Sequence, residues 1–175
     1  MSTPYVNDGT LGVNLSSVFT PSTSNYPYTG GTLPNFPVGQ LVKALNGSVW
    51  IRVLVGTGGV TGAGYVCTYN SAFTAVMMSN SVGALGDKVG VPVAAASVGD
   101  YIWLQVYGTC DAIRVATLCA ANAVLASTSS AGALDDATGT GTKNISGIVI
   151  TTTNAGGTTI NEPGELNYPV IGTTN

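Results

Sequence analysis

The side chains able to do acid, base or nucleophilic chemistry are few. In 175 residues there are eight Asp and Glu, five Lys and Arg, three Cys and no His. The missing imidazole removes the commonest general base and the commonest metal ligand. The acids are Asp8, Asp87, Asp100, Asp111, Asp135, Asp136, Glu162 and Glu165. Asp135-Asp136 sits in a Gly/Thr loop and could hold a cation with nearby carbonyls, although adjacent loop side chains more often diverge. Glu162 and Glu165 would work as an acid/base pair only if the fold held them ~5–9 Å apart across a cleft. The run Gly56-Thr-Gly-Gly-Val-Thr-Gly-Ala-Gly64 has phosphate-loop spacing but lacks the closing Gly-Lys-Ser/Thr and is followed by a strand-like segment. Cys67, Cys110 and Cys119 lack metal-type spacing and read as reduced core thiols. No catalytic set, metal or cofactor is expected.

Charge supports a structural rather than a catalytic role. Asp, Glu, Lys and Arg make up 7% of the chain, against about 25% in typical soluble domains. With a net charge of -3, nucleic acid is not an expected partner. No apolar run reaches the ~18–20 residues of a membrane span, and residues 1–10 show no secretory signal pattern. A chain so poor in charge must cover its surface with Gly, Ser, Thr and Asn or bury much of it against partners. Self-association is expected.

The elements that would position these residues fall into two regions. Residues 1–38 carry five of the eight prolines and no apolar period, which predicts an extended arm with turns. Tyr5, Phe19, Tyr26, Tyr28 and Phe36 are candidate anchors for it on a neighbouring surface; the plainer alternative is a loop covering its own domain. Residues 39–175 read as a β-rich body. Asn46-Gly47 between two strand-like runs predicts a hairpin with a type I′ turn. Short strands are expected at 65–69, 72–78, 88–96, 112–117, 124–128 and 145–153, with a loop over 129–143, and residues 162–171 end the chain with Pro163 and Pro169. A helix over 111–124, capped by Asp111, is the alternative for one Ala-rich stretch.

The clearest strand is Asp100-Tyr-Ile-Trp-Leu-Gln-Val-Tyr-Gly108. Ile102, Leu104 and Val106 share one face, and Tyr101, Trp103, Gln105 and Tyr107 the other. An internal echo pairs residues 49–53 with 102–106, 65–71 with 123–129, and 88–93 with 144–150, which predicts a duplicated β unit. Both copies place a Trp beside a polar residue, Trp50 with Arg52 and Trp103 with Gln105. This predicts that each Trp lies on a less buried face suited to protomer contact, with Trp50 and Arg52 in one copy and Tyr101, Trp103, Gln105 and Tyr107 in the other. The fold class expected is all-β, an antiparallel barrel or sandwich.

The phrase from Gly99 to Gly108 resembles a Gly-Asp-Tyr-Gly-Trp-Val-Gln-Val-x-Gly motif of small tailed-phage head proteins, with Ile102 in place of the usual small residue. Thr128-Ser-Ser-Ala-Gly-Ala-Leu-Asp-Asp136, Ile145-Ser-Gly-Ile148 and Leu166-Asn-Tyr-Pro-Val-Ile-Gly172 are similar to the same pattern. The resemblance spans residues 39–172 and leaves the arm outside. It implies a capsid decoration (cement) protein: β-rich, often trimeric, seated on the virion exterior against the major capsid protein, and reinforcing the shell. A fibre or tail-tip module binding host glycan is the alternative function, because exposed Tyr and Trp stack on sugar rings.

Overall fold

A computed structural model describes residues 13–21 and 36–175. Tyr5, Tyr26 and Tyr28 lie outside the described residues. Ten strands are formed: β1 (Leu41–Lys43), β2 (Val49–Val55), β3 (Cys67–Tyr69), β4 (Thr74–Met77), β5 (Lys88–Pro92), β6 (Tyr101–Val115), β7 (Leu125–Ser127), β8 (Leu134–Asp135), β9 (Lys143–Ile150) and β10 (Ile160–Thr174). The fold is all-β, and residues 111–115 continue β6 rather than open a helix. Val115 and Ile113 are fully buried, and β-branched side chains favour the pleated surface over a helical turn. A short strand, β8, stands inside the expected loop over 129–143.

Strand pairing closes on itself twice. β2, β4, β3, β5 and β6 pair in succession, and β6 returns to β2; β6, β8, β7, β9 and β10 do the same, and β10 returns to β6. The result is two rings that share β6, tied again where Val170 of β10 faces Lys88 of β5. Ring closure removes most free strand edges. The pairing is not wholly antiparallel: β2–β4 and β6–β8 are parallel. Each parallel pair arises because a hairpin is inserted in reverse order, its second strand lying next to the ring's opening strand.

The strand path is traced twice with the same pairings. β3 and β7 each pair with the next strand and with the closing strand β5 or β9. The echoes of 65–71 with 123–129 and of 88–93 with 144–150 fall on these equivalent strands. The third echo does not. Gly56 N–H donates to Ala75 O at 2.7 Å, as Ala116 N–H does to Leu134 O at 2.7 Å, so the end of β2 corresponds to the end of β6. Residues 49–53 and 102–106 are instead side by side, with Trp50 opposite Gln105 and Arg52 opposite Trp103.

The β1–β2 hairpin forms where Asn46-Gly47 placed it, with different turn geometry. Gly47 has φ 83° while Asn46 is not among the residues with positive φ. Gly47 N–H donates to Ala44 O and Ala44 N–H to Ser48 O. This is a three-residue loop closed by a glycine bulge rather than a type I′ turn.

Each ring holds its own apolar cluster. Ile51, Val53, Val55, Ile102, Leu104 and Val106 fill the first, and Cys110, Ile113, Val115, Leu134, Ile145 and Ile150 the second. Full burial of each such aliphatic contributes about 1.5–3 kcal/mol. The seam between β6, β9 and β10 is tight. A Cβ on Gly164 would collide with Val149 O and the Ile113 side chain. Gly164→Ala is therefore expected to lower stability by about 1–3 kcal/mol in urea unfolding. Gly139→Ala, with nothing within 4 Å of its Cβ, is expected to leave the midpoint in place.

Candidate interaction surface

The face predicted for partner contact is closed by the chain itself. Trp50 and Trp103 are 2% and 1% exposed, and form a cluster with Val13, Leu15, Val42 and Ala44, against which Phe36 and Val93 pack. Arg52 and Gln105 are also buried. Tyr101 is half-buried. The expectation of an exposed Trp face is thus corrected within the single chain. Two indoles at neighbouring positions of paired strands present a large apolar area, and side chains from residues 13–15, β1, Phe36 and Val93 cover it.

Phe19 and Phe36, expected to anchor an arm on a neighbour, dock on this same face. Phe19 and Tyr101 exchange backbone hydrogen bonds at 2.9 and 2.8 Å, and their rings meet edge to face with centroids 6.1 Å apart. Phe36 packs on Trp103 at 5.7 Å.

The polar members of the face hold backbone and rings. Trp50 Nε1–H donates to Ser48 Oγ at 2.8 Å, and Ser48 Oγ–H to Asn46 Oδ1 at 2.7 Å, which locks the hairpin loop. Gln105 Nε2–H donates to Thr109 O at 2.8 Å, clamping β6 across Gly108, whose φ is 92°. The Arg52 guanidinium lies 5.3 Å from the Trp103 ring centroid and 5.9 Å from that of Tyr101. Its buried Nε has no hydrogen-bond partner. Burial pulls the guanidinium below its ordinary pKa, and Tyr101 opposes that shift.

Tyr107 alone of the predicted set stands clear of the surface, 42% exposed, with Tyr168 beside it at 53%. Their ring centroids are 5.3 Å apart at an interplanar angle of 30°. Tyr168 has φ 47°, an uncommon backbone state for a bulky residue, at the register shift of β10 between Leu166 and Val170. Thr109 Oγ1–H donates to Glu165 Oε1 at 2.9 Å next to the pair. Sequence reasoning missed Tyr168. The alternation of β6 pointed to Tyr107, but only the pairing of Asn167 with Tyr107 brings the second ring to it.

The other sequence candidates separate. Glu165 is exposed and Glu162 half-buried on either side of a bulge in β10. The loop over 56–64 crosses to the second ring, where Asn161 Nδ2–H donates to Ala63 O at 3.1 Å; it is a structural connection. Arg114 lies over the Tyr65 ring at 4.5 Å. Asp135 and Asp136 do converge, and with Cys119 their ligand atoms lie within 4.8 Å of one another. Both carboxylates are already engaged, Asp136 accepting from Ala120 N–H at 3.1 Å and Asp135 from Ala137 N–H at 3.3 Å. The Ala120–Asp136 bond ties the segment around Ala120 to the residue after β8, while the Ala137–Asp135 bond is local. Burial, with Asp136 adding to it, raises the Asp135 pKa. A shallow groove of about 330 Å³ lies over β9, bordered by Asn122, Val124, Asn144, Ser146 and Thr173.

The three thiols are buried. Burial pushes Cys67 and Cys110 up to about 12 and Cys119 to about 11. No known family, curated protein or solved structure matches the chain.

Two outcomes follow from this geometry. Trp103→Ala is expected to cost about 3–5 kcal/mol of stability, as deletion of a buried aromatic does. Tyr107→Ala is expected to stay within about 0.5 kcal/mol; equal effects in urea unfolding would contradict the assignment of buried and exposed faces. The thiols add a pH dependence. Their folded pKa values lie above the unfolded value of about 8.5, so the folded state holds these protons more tightly. Stability is full below pH about 8.5 and falls as pH rises toward 11–12. Unfolding midpoints measured across that window are expected to decline, and a thiol reagent at pH 8 to label the native chain only slowly.

Proposed function

We propose that this protein is a capsid decoration (cement) protein, a homotrimeric structural component of a tailed-phage virion. It binds the outer surface of the major capsid protein shell and stabilises it. The observation that carries the reading is the Tyr107–Tyr168 pair, two exposed rings in contact on a body whose Trp residues are both buried. Exposed Tyr is enriched at protein interfaces because it offers apolar area and a polar tip at low entropy cost. The resemblance of residues 99–108 and 128–172 to small phage head proteins points to the partner. Leu85, Leu118 and Val124, each at least 66% exposed, add apolar surface that a crowded shell would cover. Several weak contacts repeated over a trimer sum to a tight hold.

A glycan-binding role is supported by the same pair, because Thr109, Glu165 and Asn167 place polar groups beside the rings, as a pyranose face and its hydroxyls require. Co-sedimentation with undecorated capsids separates the readings. The double variant Tyr107→Ala, Tyr168→Ala is expected to weaken capsid binding at least about tenfold, or roughly 1.4 kcal/mol, without altering stability. Undiminished capsid binding overturns this placement of the contact. Saturable glycan-array binding that the same variant abolishes favours the alternative.

A further inference from the structure

We propose that the Trp50–Trp103 face is a docking site for an extended segment of a partner protein that carries a carboxylate, and that residues 13–21 occupy the site in the partner's absence. The inference goes beyond the cement reading and holds whether or not the partner is a capsid protein.

Three observations converge on it. The face is built from Trp50, Arg52, Tyr101 and Trp103, and Trp, Tyr and Arg are the residue types that dominate interface energetics. Its present occupant is held by side-chain burial more than by strand pairing. Among the described residues, its regular backbone pairing is the single Phe19–Tyr101 bridge, while Ser16 and Ser17 hydrogen-bond back to Asn14 within the segment. Val13 and Leu15 supply most of its burial. An incoming strand could reproduce the backbone exchange with Tyr101 and the apolar contacts, as strand addition does elsewhere.

The third observation is Arg52. It is 3% exposed with Nε unpartnered, and a buried charge is costly unless it is paired. Its aromatic neighbours supply cation–π attraction but no carboxylate. Residues 13–21 read Val-Asn-Leu-Ser-Ser-Val-Phe-Thr-Pro and contain no acid. A second copy of the same segment would bring the same uncharged sequence and leave Arg52 as it is. A segment carrying Asp or Glu would supply the charge-assisted, fork-matched partner that a guanidinium accommodates best. Charge complementarity therefore selects an acidic occupant over a second copy of this segment.

The chain's only two Trp residues both line the face, so their emission reports its occupancy directly. The experiment titrates the full-length protein with blocked nonapeptides of the 13–21 sequence, carrying Asp or, as matched controls, Asn at positions 16, 17 or 18. At least one Asp peptide is expected to shift Trp emission saturably and to bind at least tenfold tighter than its Asn control. Arg52→Met is expected to abolish that preference, and Arg52→Lys, which keeps the charge, to retain part of it. If Arg52→Met does not fold, the Arg52→Lys and unaltered proteins still decide the matter. No saturable shift, equal binding of Asp and Asn peptides, or a preference that survives Arg52→Met overturns the proposal. None of these outcomes involves capsids, so the cement reading stands or falls separately.

Discussion

Everything in this fold depends on one strand serving two rings. β6 runs for 15 residues. Its first half pairs with β2 and β5, and its second half with β8 and β10. A strand of that length cannot keep one face inward to two separate cores without changing its alternation. Even-numbered residues through Cys110 point inward, and then Ile113 and Val115 do. The change falls where β10 shifts register between Glu162 and Gly164. Gly108, at φ 92°, and the Gln105 amide that bridges to Thr109 hold the bend between the two halves.

The shared strand also explains the buried Trp face. Closing the first ring consumes one face of β2 and β6. The opposite face, carrying Trp50, Arg52, Trp103 and Gln105, is then left outside the ring. Two indoles cannot be left in water in a chain with so little surface charge. Residues 13–19, Phe36 and β1 lie over them as a third layer. Arg52 is carried into this layer because it lies two residues from Trp50 on β2 and opposite Trp103 of β6, and its stem and guanidinium plane pack on the rings.

Part of the surface is covered neither by the rings nor by residues 13–21 and 36. The Tyr107–Tyr168 pair lies where β6 and β10 run side by side, and the β10 register shift turns the Tyr168 ring outward. Leu85, Leu118 and Val124 are also exposed, each outside the strands.

The strands themselves were legible in the sequence. Period-2 alternation marked Ile102, Leu104 and Val106 as core, Asn46-Gly47 marked the first hairpin, and the echo between residues 65–71 and 123–129 marked equivalent strands. These are local signals, carried by neighbouring side chains and turn stereochemistry. The sequence also put each Trp on the same side of its strand as a polar residue, Arg52 or Gln105. It could not tell what covers that face, because alternation distinguishes two sides of a strand but not solvent from a third layer. Nor could it tell that the Trp-containing echoes are paired neighbours rather than corresponding strands, that two pairs run parallel, or that Tyr168 meets Tyr107. Those depend on register and ring closure between segments far apart in the chain, which only the tertiary structure decides.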